Sequence, residues 1–136
     1  MSEAGVSLYE AAGGMAFFER LVGDFYRGVE GDDVLAPLYP EAPDFSGAQG
    51  RLTLFLAQYW GGPGTYSRQR GHPRLRMRHF PFPIGPLQRE RWLVHMTAAV
   101  EGNTPEGEIR DALLRYFQSA SEQMVNTPGG TIRPPA

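Results

Sequence analysis

The sequence predicts an all-α domain, and three observations carry that prediction. Four segments repeat apolar residues at helical spacing. No segment alternates apolar and polar residues with period two. Glycine- or proline-rich punctuation closes the segments off from one another.

The first helix is predicted over about 15–29, after Gly13-Gly14. Phe18, Leu21, Val22, Phe25 and Val29 share one face with Tyr26 beside them, and Gly31 and Asp32-Asp33 end the run. A shorter turn is expected over 33–38, leading to Tyr39-Pro40. The second helix is predicted over 47–60, with Ser46 and Gln49 in the spacing of a capping box. Its apolar face is Ala48, Leu52, Phe55, Leu56 and Tyr59, and Gly61-Gly62-Pro63-Gly64 stops it. The third covers about 87–101, with Trp92, Met96 and Val100 on one face and Leu93 beside them. The fourth covers about 105–125, with Thr104 as N-cap, Pro105 in the first helical position, and Glu106 and Glu108 at the positive end. Its buried stripe is Ile109, Leu113, Tyr116, Phe117, Ala120 and Met124.

The segment 61–86 breaks the pattern. It holds five glycines, five prolines, five arginines and two histidines in 26 residues. A stretch this irregular inside a compact domain needs something besides its own secondary structure to order it, and a large bound ligand would do so.

The 136 residues suit a single domain, expected over 8–126 between mobile tails at 1–7 and 127–136. Cysteine is absent, which excludes disulfides, thiolate metal sites, iron–sulfur clusters, cysteine nucleophiles and covalent c-type haem. No apolar run is long enough to span a membrane, and the N-terminus shows no secretory signal, so a cytoplasmic protein is expected. The net charge of −2 is divided unevenly, with −7 over residues 1–50, +7 over 51–100 and −2 over 101–136. All 13 basic residues are arginine, whose planar fork suits carboxylate or phosphate. The middle third therefore meets an anion or pairs with the acidic first third. The total charge is too low for coating nucleic acid, and no nucleic-acid partner is expected.

Histidines stand only at positions 72, 79 and 95. Their spacing makes a poor zinc site, and no Glu-x-x-His pair suggests a di-iron bundle. No phosphate-binding glycine motif is present. His79 lies in Arg74-Leu-Arg-Met-Arg-His-Phe-Pro-Phe82, which joins an imidazole to apolar side chains and several cations. Haem asks for that combination: an axial nitrogen, apolar walls and partners for two propionates. A basic surface loop that binds phosphate or nucleic acid without haem is the alternative reading of the same residues.

Several motifs together resemble a known family. They are Tyr26, Tyr39-Pro40-Glu41, Phe55-Leu-Ala-Gln-Tyr-Trp-Gly-Gly-Pro63, Tyr66-Ser67, Gln69-Arg-Gly-His-Pro-Arg-Leu-Arg-Met-Arg-His79, and Trp92. From about Leu8 to Asn126 the sequence is similar to group II truncated haemoglobins of the actinobacterial kind. The resemblance implies a shortened globin fold in which two helix pairs sandwich non-covalent haem b, with a vestigial first helix and a long irregular segment before the proximal histidine. It implies His79 as the iron ligand, with His72 on a surface loop and His95 unused. Tyr26, Tyr39 and Trp92 become distal donors, Ala48, Leu52 and Phe55 line the same pocket, and Arg51, Tyr66, Met77 and Arg78 become haem contacts. Arg51 is the leading propionate partner, although a surface pair with Asp44 or Glu41 is its simpler reading.

The expected function is reversible binding of dioxygen and other diatomic ligands with slow release. Redox chemistry with nitric oxide or peroxide, fed by an unidentified electron donor, would follow from that. A non-enzymatic oxygen store or gas sensor is the competing expectation, and self-association is left open.

Overall fold

A computed structural model of the chain describes residues 6–74, 79 and 82–126. Among them are six α-helices, one 3-10 turn and no strand. The helices are α1 (Leu8–Ala12), α2 (Gly14–Glu30), α3 (Ser46–Tyr59), α4 (Thr65–Arg70), α5 (Pro86–Asn103) and α6 (Glu108–Met124), with the 3-10 turn at Ala36–Leu38. The four long helices are the four that periodicity predicts.

Helix α2 is central. Phe17, Phe18, Leu21, Val22, Phe25 and Val29 are all buried on it, as expected of residues spaced three and four apart. It packs against α3 on one side and α5 on the other, and α5 packs in turn on α6. Met96, Ala99 and Val100 of α5 and Leu113 and Phe117 of α6 close this core.

Three local expectations are corrected. Ser46 and Gln49 form no capping box; the carboxylate of Asp44 instead accepts from the Ser46 amide and hydroxyl, at 3.0 and 2.8 Å. Thr104 is no N-cap: it is buried, and its hydroxyl donates to the Val100 carbonyl (2.7 Å), closing α5. Helix α6 therefore begins at Glu108, beyond Pro105. The segment 61–86 is also less irregular than its composition suggests, because α4 forms inside it. Gln58 holds α4 in place by donating to the Ser67 hydroxyl (2.8 Å) and accepting from its amide (2.9 Å). A Cβ on Gly62 would lie 2.6 Å from the ring of Tyr9, so the glycine lets α1 settle on the turn between α3 and α4.

The acidic first third and the basic middle third meet at Asp32. Its side chain is only 3% exposed and accepts from Val34 and Leu35 amides (2.8 and 3.3 Å), Arg91 Nε (3.1 Å) and His95 Nε2 (2.7 Å). His95 reaches it across Gly28, where a Cβ would lie 2.3 Å from the imidazole. Burial opposes the charge on Asp32, but the hydrogen bonds from His95, Arg91 and the two amides outweigh it and hold the carboxyl well below the usual carboxylate range. Because the folded state lowers this affinity for protons, the resulting stability is full above about pH 4 and fades as pH falls further. Asp32→Asn should cost roughly 1.5–3 kcal/mol at pH 7, the worth of a hydrogen bond to a charged group. Urea unfolding should show the gap from wild type narrowing below about pH 4, whereas a constant gap would show that the charge contributes nothing.

Candidate functional site

Between the helices lies a cavity of about 820 Å³. Tyr26 (α2), Tyr39 (after the 3-10 turn), Ala48, Leu52 and Phe55 (α3), Tyr66 (α4), His79 and Trp92 (α5) all line it. Of the expected site residues within the described part, none is left outside this wall. Met77 and Arg78 lie outside the described residues. Apolar side chains from Leu38, Phe82, Ile84 and Met124 complete much of the wall.

The polar groups are few and ordered. Tyr26 and Tyr39 are in ring contact (centroids 5.6 Å apart), which sets the two phenols side by side. Burial raises the pKa of both. For Tyr26 the neighbouring phenol adds to the rise, while the Arg51 guanidinium opposes it; for Tyr39 the Tyr26 phenol opposes it. Both phenols therefore stay neutral and keep their protons at physiological pH. Trp92 is positioned by rings on either side, with Phe25 at 5.1 Å and Phe117 at 5.7 Å. The Asp32 cluster brackets it, since Arg91 precedes it and His95 follows one turn later.

At the polar rim, Arg51 faces Glu41 at 3.4 Å with its side chain 40% exposed, the surface pair that the sequence offered as its simpler reading. A contact this long and exposed contributes little and leaves the guanidinium able to exchange partners. Tyr66 is buried, with its ring against Phe55 at 5.6 Å. His72 is exposed and accepts from the Arg74 amide (3.2 Å), and His95 is committed to Asp32; neither lines the cavity.

Sequence reasoning missed several residues of this wall and of its support. Arg70 and Tyr116 also line the cavity. Asn126 clamps the chain around His79: its side chain accepts from the Ile84 amide (2.9 Å) and donates to the Phe82 and His79 carbonyls (2.8 and 3.3 Å). The only sequence signal for it was an asparagine following the last apolar stripe.

The described residues contain no cluster of three metal-binding side chains. An imidazole on the wall of a large apolar cavity with arginines at its edge suits a metal whose other ligands come from a flat, acidic macrocycle.

Comparison with known proteins agrees with this geometry. The family described as "Bacterial-like globin" matches residues 7–126. The group 2 truncated hemoglobin YjbI of Bacillus subtilis (strain 168) is 38% identical over 118 residues, 87% of each chain. The hemoglobin of the actinobacterium Thermobifida fusca superposes with a TM-score of 0.86 at 53% identity, over 89% of this chain and 98% of that one. A truncated haemoglobin structure from Bacillus subtilis gives a TM-score of 0.82 at 37% identity, over 89% of this chain and all of that one.

Asn126→Ala should release the segment behind His79. Hydrogen exchange at the Ile84 amide should accelerate about five- to tenfold, for the loss of roughly 1 kcal/mol of hydrogen bonding, while α2 amides keep their protection. Unchanged exchange at Ile84 would show the clamp to be idle.

Proposed function

The chain belongs to the bacterial-like globin family, among its group 2 truncated haemoglobins, and from that premise we propose that it retains dioxygen for slow release and redox chemistry rather than delivery. As a globin it binds haem with iron, haem b being the usual form, and through it dioxygen and other diatomic ligands. The observation that supports slow release is the convergence of Tyr26, Tyr39 and Trp92 on the cavity that His79 also lines.

In this reading His79 would hold the iron, Arg51 would take a propionate by exchanging Glu41 for it, and Tyr66, buried on the cavity wall, would be a second propionate partner. Haem, when bound, would supply reversible dioxygen binding, with negative charge developing on the ligand. The protein's part is to meet that charge with hydrogen-bond donors fixed in advance. The Trp92 indole can only donate, whereas a tyrosine hydroxyl donates or accepts. The two phenols lie in ring contact and can each serve the other as partner, so Trp92, which can only donate, is the leading donor. One hydrogen bond to a charged group contributes about 1.5–3 kcal/mol, which corresponds to roughly ten- to a hundredfold in release rate.

A ligand held this way suits reaction better than transport. The Bacillus subtilis structure is described as that of an oxygen-avid haemoglobin, in keeping with a site of this kind. Ala48 leaves the distal side open to a second small reactant such as nitric oxide or peroxide. Turnover needs an electron donor from outside the chain.

His79→Ala should lose haem or hold it loosely, while His72→Ala keeps the wild-type absorption spectrum; equal loss in both would overturn the ligand assignment. Trp92→Phe keeps most of the bulk and deletes the donor. Stopped-flow oxygen dissociation should rise by tens-fold with a smaller change for carbon monoxide, a weaker acceptor. An unchanged oxygen rate would falsify the donor role and leave Trp92 as packing.

A further inference from the structure

We propose that His95 is a positioning residue for dioxygen retention: by donating to Asp32 it fixes the rotation of α5 that presents the Trp92 indole to the cavity. That role rests on Trp92 being the donor argued above.

The contact has a defined direction. Asp32 lies just beyond α2, and His95 Nε2 stands 2.7 Å from its Oδ2. Against the cost of burial, the hydrogen bonds to Asp32 hold its carboxyl well below the usual carboxylate range, so it is ionised and can only accept. The proton between the two groups therefore belongs to His95 Nε2. The imidazole lies close against α2 at Gly28, where a Cβ would come within 2.3 Å of Nδ1 and push the ring off the carboxylate.

Helix geometry makes this contact a stop against rotation. His95 and Arg91 are four residues apart, share a face of α5, and meet the same carboxylate. Trp92 lies about a quarter turn around the axis from that face. Rotating α5 by about 10°, at a side-chain radius of about 6 Å, moves a side-chain tip by about 1 Å. A donor displaced that far from a small ligand loses much of its hydrogen bond, which weakens steeply with distance and angle. The rings beside Trp92, Phe25 at 5.1 Å and Phe117 at 5.7 Å, pack on it without such directionality.

His95 is the firmer of the two grips. Its side chain is 23% exposed against 45% for Arg91, and its contact is shorter, 2.7 Å against 3.1 Å. Arg91 holds the same carboxylate from nearer the solvent, where an ion pair contributes less.

The test measures oxygen dissociation by stopped flow on haem-loaded protein. A second readout is the NMR signal of the Trp92 indole N–H in the carbon monoxide form, assigned by its loss in Trp92→Phe. His95→Leu removes the donor, whereas His95→Gln keeps a nitrogen donor at similar reach. His95→Leu should raise oxygen dissociation several-fold, with a smaller change for carbon monoxide, and should shift the indole signal. His95→Gln should bring both close to wild type. In the Trp92→Phe background His95→Leu should add little, because the side chain it positions is gone. Gly28→Ala crowds His95 while leaving both partners in the chain; it should act like His95→Leu, and it carries the test if that variant does not fold. An unshifted indole signal, an equal loss in His95→Gln, or an undiminished effect in the Trp92→Phe background would overturn positioning and leave the contact as a contribution to stability. Trp92→Phe alone separates the two readings. An unchanged oxygen rate there removes the donor role and positioning with it, whereas a raised rate with no response to His95→Leu removes positioning alone.

Discussion

The relation between Tyr26, Tyr39 and Trp92 depends on one buried carboxylate. Asp32 follows α2, which carries Tyr26; it accepts the amides that begin the approach to Tyr39, and it is gripped by two side chains of α5 on either side of Trp92. Three elements far apart in sequence are thereby referred to a single point. Without it, each would be positioned by apolar packing alone, which tolerates small shifts because it is not directional. A hydrogen-bond donor that must meet a small ligand does not tolerate them. The missing Cβ at Gly28 belongs to the same arrangement, since it lets His95 lie against α2 and reach the carboxylate.

The cavity sets the opposite demand. A pocket of about 820 Å³ in a chain this short removes much of the volume that would otherwise be core. The remaining contacts are concentrated in rings: Phe25, Tyr26, Tyr39 and Phe45 on one side, and Tyr59, Trp60, Tyr116 and Phe117 on the other. Aromatic side chains bury a large area each and hold few rotamers, so they keep a wall rigid where one face has no protein neighbour. A ligand that binds only the folded chain then adds its own stabilisation.

What the sequence made legible follows from how local each signal is. The stripe on α2 was readable because burial there needs only a spacing, and every residue named for it is buried. Helix α4 was not, because Thr65–Arg70 is a single polar turn and a half ordered by Gln58, seven residues before it. The start of α6 was misplaced because Thr104 has the chemistry of an N-cap and uses it to close the preceding helix instead. The cavity wall was legible only through the joint occurrence of Tyr26, Tyr39, Trp92 and the motif ending at His79. Asp32 and Asn126 were illegible, because the side chains and backbone groups they join across the fold lie between 42 and 63 residues away and no spacing encodes such a contact.

The aromatic wall also explains how the polar side chains of the cavity are kept in place. Trp92 touches Phe25 and Phe117, and through them Tyr26 and Tyr116. Rings in mutual contact have few rotamers to choose from, so each fixes the next. Burial raises the pKa of Tyr26 and of Tyr39, so both phenols keep their protons while they face the cavity. The same rings that close the core thus hold an indole and two neutral phenols on one cavity wall.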